Sequence, residues 1–183
     1  VNVDGDFVLQ RAGGIKGGTI AVTGDVTSLD VSLNSWAATG RISLVGDGDQ
    51  TLSGGGVGGD LCGLDISKGG GKIVIADNVE VRGNLTGTGG VVAADQPGAI
   101  VLVGSTKTVN VSDDVVLDDL VINMGSSYNL TFNSDLKVHG DLTITEVSKM
   151  YNGVIYLWGD LTDNDGHWKG TTEIVRMNQA PTA

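Results

Sequence analysis

The sequence predicts an all-β chain that folds as a parallel β-solenoid of about ten coils, with about 19 residues in each coil. One observation is a short phrase that recurs at intervals close to multiples of about 19 residues. The other is that apolar and polar residues alternate in the runs between its copies, which is typical of half-buried strands. No segment keeps a helical spacing of apolar residues, and the 30 glycines would weaken any helix.

The recurring phrase is a glycine, then Asp or Asn, an apolar residue, and Thr or Val. We call its first two residues the glycine–Asx pair, and the five copies are Gly5-Asp6, Gly24-Asp25, Gly83-Asn84, Gly140-Asp141 and Gly159-Asp160. The four intervals between successive copies are close to one, three, three and one periods of about 19 residues. Each pair is predicted to form a corner, where the glycine takes a positive φ and the Asx side chain stabilises the turn.

A longer repeat contains the phrase and covers most of the chain. Residues 41–86 and 99–143 match in order, because both begin with the pattern Ile-x-Leu-Val-Gly and end with a glycine–Asx pair. Since the repeat crosses every plausible boundary, residues 1–183 are predicted to form one elongated domain, with 180–183 as a frayed tail or the start of a linker. The competing architecture is a β-sandwich of short hairpins, whose strands need not recur at one spacing.

Composition excludes several classes of partner. The net charge is −11, which opposes binding to nucleic acid phosphates and to anionic membrane surfaces. No apolar run approaches the length of about 18 residues that a spanning helix needs, so no membrane insertion is expected. The acidic, glycine-rich and nearly cysteine-free composition favours an extracellular or cell-surface location. Cys62 is the single cysteine, and it is interpreted as a small structural thiol, with a bridge to a second chain as the alternative.

Two acidic loops are candidate calcium sites. Asp47 and Asp49 flank a glycine, and Asp163 and Asp165 flank an Asn, so each loop offers oxygen ligands at alternate positions. Neither loop is followed by the Glu that completes an EF-hand, and neither recurs as a calcium-binding repeat would. The alternative is a pair of solvated acidic turns. No resident cofactor is predicted.

The two histidines do not indicate an enzyme. His139 directly precedes a repeat glycine, and the equivalent position in the other four copies holds Asp4, Thr23, Arg82 and Trp158. A position that accepts such different residues is expected to lie on the surface. His167 is expected in a solvated loop. Most Asp residues belong to the repeat, and few aromatic residues are present to line a carbohydrate cleft. We therefore predict no catalytic residue.

The two long passes carry a resemblance to a broad family. They end in Val81-Arg82-Gly83-Asn84-Leu85-Thr86 and Val138-His139-Gly140-Asp141-Leu142-Thr143. Together with the other glycine–Asx pairs, these segments resemble the glycine/threonine-rich parallel β-helix segments of bacterial adhesins, autotransporter passengers and large repeat-containing surface proteins. The resemblance implies a secreted or surface-attached, right-handed solenoid that serves as a stalk, adhesin or fibre.

Neither end of the sequence looks like a polar cap, which a finite solenoid needs to protect its terminal coils. The chain is expected either to be a piece of a longer solenoid or to associate with itself through its terminal coils into a filament. The predicted function is that of a non-enzymatic extracellular structural or adhesive rod, with surface glycans as candidate partners. The alternative function is a carbohydrate-binding or polysaccharide-processing β-helix.

Overall fold

A computed structural model describes residues 1–10, 15–29, 39–54, 60–166 and 168–177. Every regular element in these residues is a β-strand, and every strand pair is parallel. The prediction of a parallel β-solenoid is therefore confirmed. No helix in this part of the chain is long and apolar enough to cross a membrane. The predicted tail at 180–183 lies outside the described residues.

The described strands number twenty. They are β1 (Asn2–Val3), β2 (Phe7–Gln10), β3 (Thr19–Val22), β4 (Val26–Leu29), β5 (Arg41–Leu44), β6 (Gln50–Ser53), β7 (Asp60–Leu61), β8 (Leu64–Ile75), β9 (Val79–Val81), β10 (Leu85–Val92), β11 (Ile100–Val103), β12 (Lys107–Val111), β13 (Val115–Leu117), β14 (Leu120–Phe132), β15 (Leu136–Val138), β16 (Leu142–Tyr151), β17 (Val154–Leu157), β18 (Leu161–Asp163), β19 (Lys169–Gly170) and β20 (Glu173–Arg176).

These strands form three parallel ladders. The first ladder joins β1, β3, β5, the start of β8, the start of β10, β12, the ends of β14 and β16, and β19. The second joins β2, β4, β6, the ends of β8 and β10, β13, β15, β17 and β20. The third joins β7, β9, β11, the starts of β14 and β16, and β18. From β5 onward, each coil passes through the three ladders in this order. We call the turn between the first and second ladders the first corner, the turn between the second and third ladders the second corner, and the turn that leads back into the first ladder the third corner.

The predicted count of about ten coils is slightly too high, although the fold class is right. The offset between paired residues is 19 from Phe7 to Val26 but 26 from Val26 to Leu52. The larger offsets come from longer loops at the corners. The chain therefore makes fewer and longer turns than the shortest interval of the repeat suggested.

The long intervals between glycine–Asx pairs have a geometric explanation. Gly5 and Gly24 lie at the first corner, Gly83 lies at the third, and Gly140 and Gly159 lie at the second. From Gly24 to Gly83 the chain completes about two and two-thirds turns instead of three, as the strand pairing shows. The chain also makes about two and two-thirds turns from Gly83 to Gly140. The phrase is therefore used at all three corners. In its two long intervals, each turn contains more residues than the 19 that separate Gly5 from Gly24.

Apolar side chains at alternate positions fill the interior. In β9, Val79 and Val81 are buried while Glu80 is only half-buried, and β13 and β15 show the same alternation. One hydrophobic cluster runs from Val22 to Leu157 along the solenoid. Because each fully buried side chain of this size contributes about 1.5–3 kcal/mol, this column of apolar residues holds the coils together.

The expected positive φ occurs at Gly5 (φ 126°) but not at the other four repeat glycines. Those four are glycines because adjacent coils approach too closely for a side chain. A Cβ at Gly83 would overlap the carbonyl oxygen of Cys62, and a Cβ at Gly159 would overlap that of Gly140. Steric exclusion between coils, not backbone conformation, requires glycine at these corners.

The Asx side chains connect one coil to the next. The N–H of Asp25 donates to Asp6 Oδ1 at 2.9 Å, and the N–H of Asp160 donates to Asp141 Oδ1 at 2.7 Å. Asn84 Oδ1 accepts the N–H of Thr108 at 2.9 Å in the same way. These bonds give the corner amides of Asp25 and Asp160, and the amide of Thr108 in β12, a partner on the neighbouring coil. The glycine–Asx pair is thus a device for stacking coils at a corner.

Steric exclusion at the corners makes a mutational prediction. Replacing Gly83 with Ala is expected to lower the free energy of unfolding by about 1–3 kcal/mol, because the new methyl group must push two coils apart. Urea denaturation followed by circular dichroism measures this change. Gly48→Ala is the matched control, since a Cβ there meets no atom within 4 Å. Equal stability of the two variants would contradict the steric explanation.

Candidate functional site

A groove of about 430 Å³ lies on the outside of the third corner. Its floor is formed by glycines at that corner in successive coils, namely Gly18, Gly40, Gly63 and Gly83. Because these residues carry no side chain, the corner is recessed relative to the strands on either side. Of the sequence-predicted corner residues, only Gly83 and Asn84 line this groove.

Two arginines, Arg41 and Arg82, line the groove, and the chain has only four arginines and a net charge of −11. The Arg41 Nε donates to Thr19 Oγ1 at 3.0 Å, which fixes the base of its guanidinium. Arg82 lies 3.8 Å from a carboxylate oxygen of Glu80, and both side chains of this pair are 40% exposed. We call this site the arginine groove. Its other polar lining groups are supplied by Thr19, Thr39, Asn84, Thr86 and Ser105, and none of the described aromatic side chains lines it.

Cys62 lies beneath the arginine groove. Its side chain is buried, with Sγ accepting the N–H of Ile15 at 3.1 Å, and it packs against Leu9 and Ile15. These contacts support the interpretation of Cys62 as a small structural thiol. A bridge to a second chain would require this region to open.

A hydroxyl cluster surrounds Asp65 on the outer face of the first ladder, beside the arginine groove. Its carboxylate accepts hydrogen bonds from Ser43 and Ser67 at 2.5 and 2.9 Å, and from Thr86 at 2.6 Å. Burial alone would raise the pKa of Asp65, but these three hydrogen bonds and the charge of Arg41 outweigh it, and the pKa lies below its ordinary value. The carboxylate is therefore held ionised and connects three consecutive coils.

The first candidate calcium loop is occupied by a positive charge from the chain itself. The Lys68 ammonium donates to Gly48 O and to Gln50 Oε1, each at 2.7 Å, and the Lys68 side chain is buried. Asp49 Oδ1 accepts the N–H of Lys72 at 2.8 Å, and the charges of Asp47 and Asp49 both act on Lys68. Lys68 thus supplies a positive charge at this corner, where the sequence pattern indicates a candidate calcium site.

In the second candidate loop the carboxylates accept hydrogen bonds from protein donors. Asp163 Oδ1 accepts the N–H groups of Asp165 and Gly166 at 3.1 and 2.9 Å, and its Oδ2 accepts Trp168 Nε1 at 3.2 Å. Asp165 Oδ2 accepts the N–H of Val147, in the preceding coil, at 3.0 Å. Across the described ranges, no group of three or more His, Cys, Asp or Glu residues is arranged to hold a metal ion. The choice between a calcium site and a solvated acidic turn at each loop is left to the titration described below.

The second corner brings together titratable groups that the sequence did not associate. Burial raises the pKa of Asp118, whose Oδ2 accepts the N–H of Gln96 at 3.0 Å, and burial lowers the pKa of His139. The His139 ring packs edge-on against Trp158, with ring centroids 4.8 Å apart. None of these three side chains lines the arginine groove. The proposed surface position of His139 is therefore a half-buried corner, and His167 lies outside the described residues.

Sequence reasoning missed both the groove and the buried polar residues. Gln50 Nε2 donates to the carbonyls of Val22 and Gly24, in the preceding coil, at 3.0 and 2.6 Å. Because Gln50 Oε1 also accepts the Lys68 ammonium of the following coil, Gln50 connects three coils. Lys107 similarly donates from the interior to Val81 O at 2.6 Å and to Val103 O. A signal for Lys68 was present, since it continues the inward alternation of Leu64 and Ile66. Glycines just before successive first-ladder strands were the signal for the groove floor.

No protein-family model, curated protein or solved structure matches this chain. The functional argument therefore depends on the geometry of the molecule.

The buried Lys68 makes stability depend on pH. Burial lowers the pKa of Lys68 in the folded protein, and the charges of Asp49 and Asp47 only partly oppose this. The pKa in the unfolded chain is about 10.4. At a pH between these two pKa values, the unfolded state binds more protons than the folded state. The contribution of Lys68 to stability therefore rises with pH through this window. Lys68→Met is expected to remove that rise in urea unfolding measured from pH 7 to 10.5. The exposed Lys72→Met is the control and should keep the wild-type slope, and an unchanged slope in Lys68→Met would contradict the assignment.

Calcium is expected to leave stability unchanged. The loop carboxylates already accept hydrogen bonds, and the Lys68 ammonium would repel a second cation at the first loop. Thermal unfolding with and without millimolar calcium tests this. A clear rise in the melting midpoint that is lost in Asp163→Asn would show instead that the second loop binds the ion.

Proposed function

We propose that this protein is a non-enzymatic structural or adhesive rod of the cell exterior, which extends when its open terminal coils pair with further coils. The observation that carries this proposal is that, within the part of the chain that the structure describes, the terminal strands have no partner on their outer side. Among the described strands, β1 pairs only with β3 and β2 only with β4. At the other end, β18, β19 and β20 each pair with one strand. An open parallel edge is a template for another strand.

Both ends also present part of the hydrophobic column. At the first coil, Val3 and Phe7 are only half-buried although they pack against the core. At the last coil, Leu161 and Ile174 are in the same position. A further coil placed on either end would cover these side chains and remove their apolar surface from water.

The first and last coils both have a second-ladder strand with an apolar residue that faces the core. In the second ladder, Ile174 continues the buried column of Ile155, and Phe7 begins the column that continues at Val26. If the last coil of one copy stacks on the first coil of another, Ile174 lies on Phe7 and the apolar column continues. This contact is heterologous, because it uses two different surfaces, and it therefore propagates as a filament.

The coil that pairs with an open end can belong to a second copy or to a longer version of the same chain. Both cases give the same rod, in which length is set by the number of stacked coils. The resemblance to β-helix segments of adhesins, autotransporter passengers and repeat-containing surface proteins supports a location at the cell surface or outside the cell. The alternative function, carbohydrate binding, is favoured by the arginine groove and is developed below.

Assembly is tested by blocking one ladder edge. The N–H groups of Glu173 and Met177 donate to the preceding coil, so by the alternation of a parallel ladder the N–H of Arg176 points to the open side. Arg176→Pro removes that donor and is expected to abolish filaments in negative-stain images and to leave a monomer by light scattering at micromolar concentration.

Arg176→Ala is the matched control, because it removes the same side chain and keeps the N–H. It should still assemble. Two results would contradict the proposal: a wild-type chain that stays monomeric at all concentrations, or Arg176→Pro filaments that form as readily as those of Arg176→Ala.

A further inference from the structure

We propose that the arginine groove binds an acidic oligosaccharide, with Arg41 and Arg82 holding carboxylates of the sugar chain. The site lies on the side of the rod and is lined by no residue of β1, β2, β18, β19 or β20, so this inference goes beyond the proposed structural function and does not depend on assembly. It rests on the shape of the groove, on the positions of its two arginines, and on the pairing of the strands around it.

The groove extends along the solenoid axis. It is lined by third-corner residues of successive coils, 39–41, 62–63 and 82–84. Arg41 and Arg82 therefore lie two coils apart, which is a backbone separation along the axis of about 9.6 Å at a strand spacing of about 4.8 Å. An extended ligand that carries negative charge at more than one point can contact both. A chain of linked sugar rings with carboxylates has both properties.

The lining chemistry fits such a ligand. A guanidinium is planar and always charged, and it binds a carboxylate through two parallel hydrogen bonds. Between and beside the arginines, the hydroxyl groups of Thr19, Thr39 and Ser105 and the amide of Asn84 can bond to sugar hydroxyls. The volume of about 430 Å³ is in the range of small-molecule sites. None of the described aromatic rings lines the groove, so among the described residues the two arginines provide the selectivity.

The strand pairing disfavours a peptide as the occupant. An extended peptide commonly binds by adding a strand to an open sheet edge. The first-ladder strands beside the groove are β5 and the starts of β8 and β10, and each is already paired on both sides. A peptide would therefore find no open row of backbone groups on these strands. A single phosphate or sulfate is compact and lacks the further groups that would bond to the hydroxyls along the groove.

The experiment measures binding to the soluble chain by isothermal titration calorimetry, with a tetrasaccharide of alternating glucuronate and N-acetylglucosamine as the acidic probe. The chitin tetrasaccharide, which has the same length and no carboxylate, is the neutral probe. Inorganic sulfate and tetraglutamate are the simple-anion and acidic-peptide probes. We expect the acidic tetrasaccharide to bind at least tenfold more tightly than each of the other three.

The variant Arg41→Gln/Arg82→Gln is expected to lose at least tenfold in affinity for the acidic tetrasaccharide, and each single variant should lose part of it. Arg176→Gln is the control: it removes the same charge at the end of the rod and should bind like the wild type. Circular dichroism and thermal unfolding verify that the variants are folded.

If the double variant fails to fold, chemical-shift changes in the wild-type amides of residues 39–41 and 82–84 on titration locate the ligand instead.

Several results would overturn the proposal. They are absence of binding at millimolar acidic tetrasaccharide, equal affinity for the neutral tetrasaccharide, equal or tighter binding of sulfate or tetraglutamate, and an equal loss in Arg176→Gln. The assembly state is measured separately at the concentrations used for titration. A failure of the groove proposal therefore leaves the rod proposal standing, and a failure of the rod proposal leaves the groove proposal standing.

Discussion

The structure depends on one constraint: equivalent residues of successive coils must lie one strand spacing apart, even at the corners, where no regular ladder exists. Along the strands, backbone hydrogen bonds and the apolar column satisfy this condition without special residues. At the corners the backbones of adjacent coils approach so closely that Gly83 and Gly159 cannot carry a Cβ. The carboxylates of Asp6 and Asp141 then accept the backbone N–H of the next coil, which explains why glycine and Asx occur as a pair.

The same constraint explains the polar residues in the interior. Several carbonyl groups at or beside the corners accept hydrogen bonds from buried side chains, and unpaired buried carbonyls are costly. Lys68 and Gln50 satisfy such groups at the first corner, and Lys107 satisfies them at the third. Each of these side chains reaches from one coil to another, so it fixes the register of the stack as well as satisfying the carbonyls. The energetic cost of burying two ammonium groups is offset by charge-assisted hydrogen bonds to the backbone.

The two functional proposals use different surfaces of the same rod. The open ladders and the half-buried Phe7 and Ile174 concern the ends, where a further coil would complete the core. The arginine groove concerns the side, where stacked glycines leave a recess flanked by Arg41 and Arg82. A rod that lengthens by stacking would repeat its lateral groove at regular intervals. Weak binding at each groove would then be strengthened by multivalency, which suits an adhesive fibre.

The alternation of apolar residues and the recurrence of the glycine–Asx phrase were enough to predict parallel coils, because both are local consequences of a strand that must be buried on one face and turn at a corner. They could not determine the number of residues in one turn. The phrase occurs at three different corners, so the sequence does not say how many turns lie within each of its two long intervals. The positions of Arg41 and Arg82 in one groove, and of Lys68 on the Asp47–Asp49 loop, follow from the register between coils. Tertiary structure alone decides that register, because residues about 20 positions apart become neighbours only once the coils are stacked.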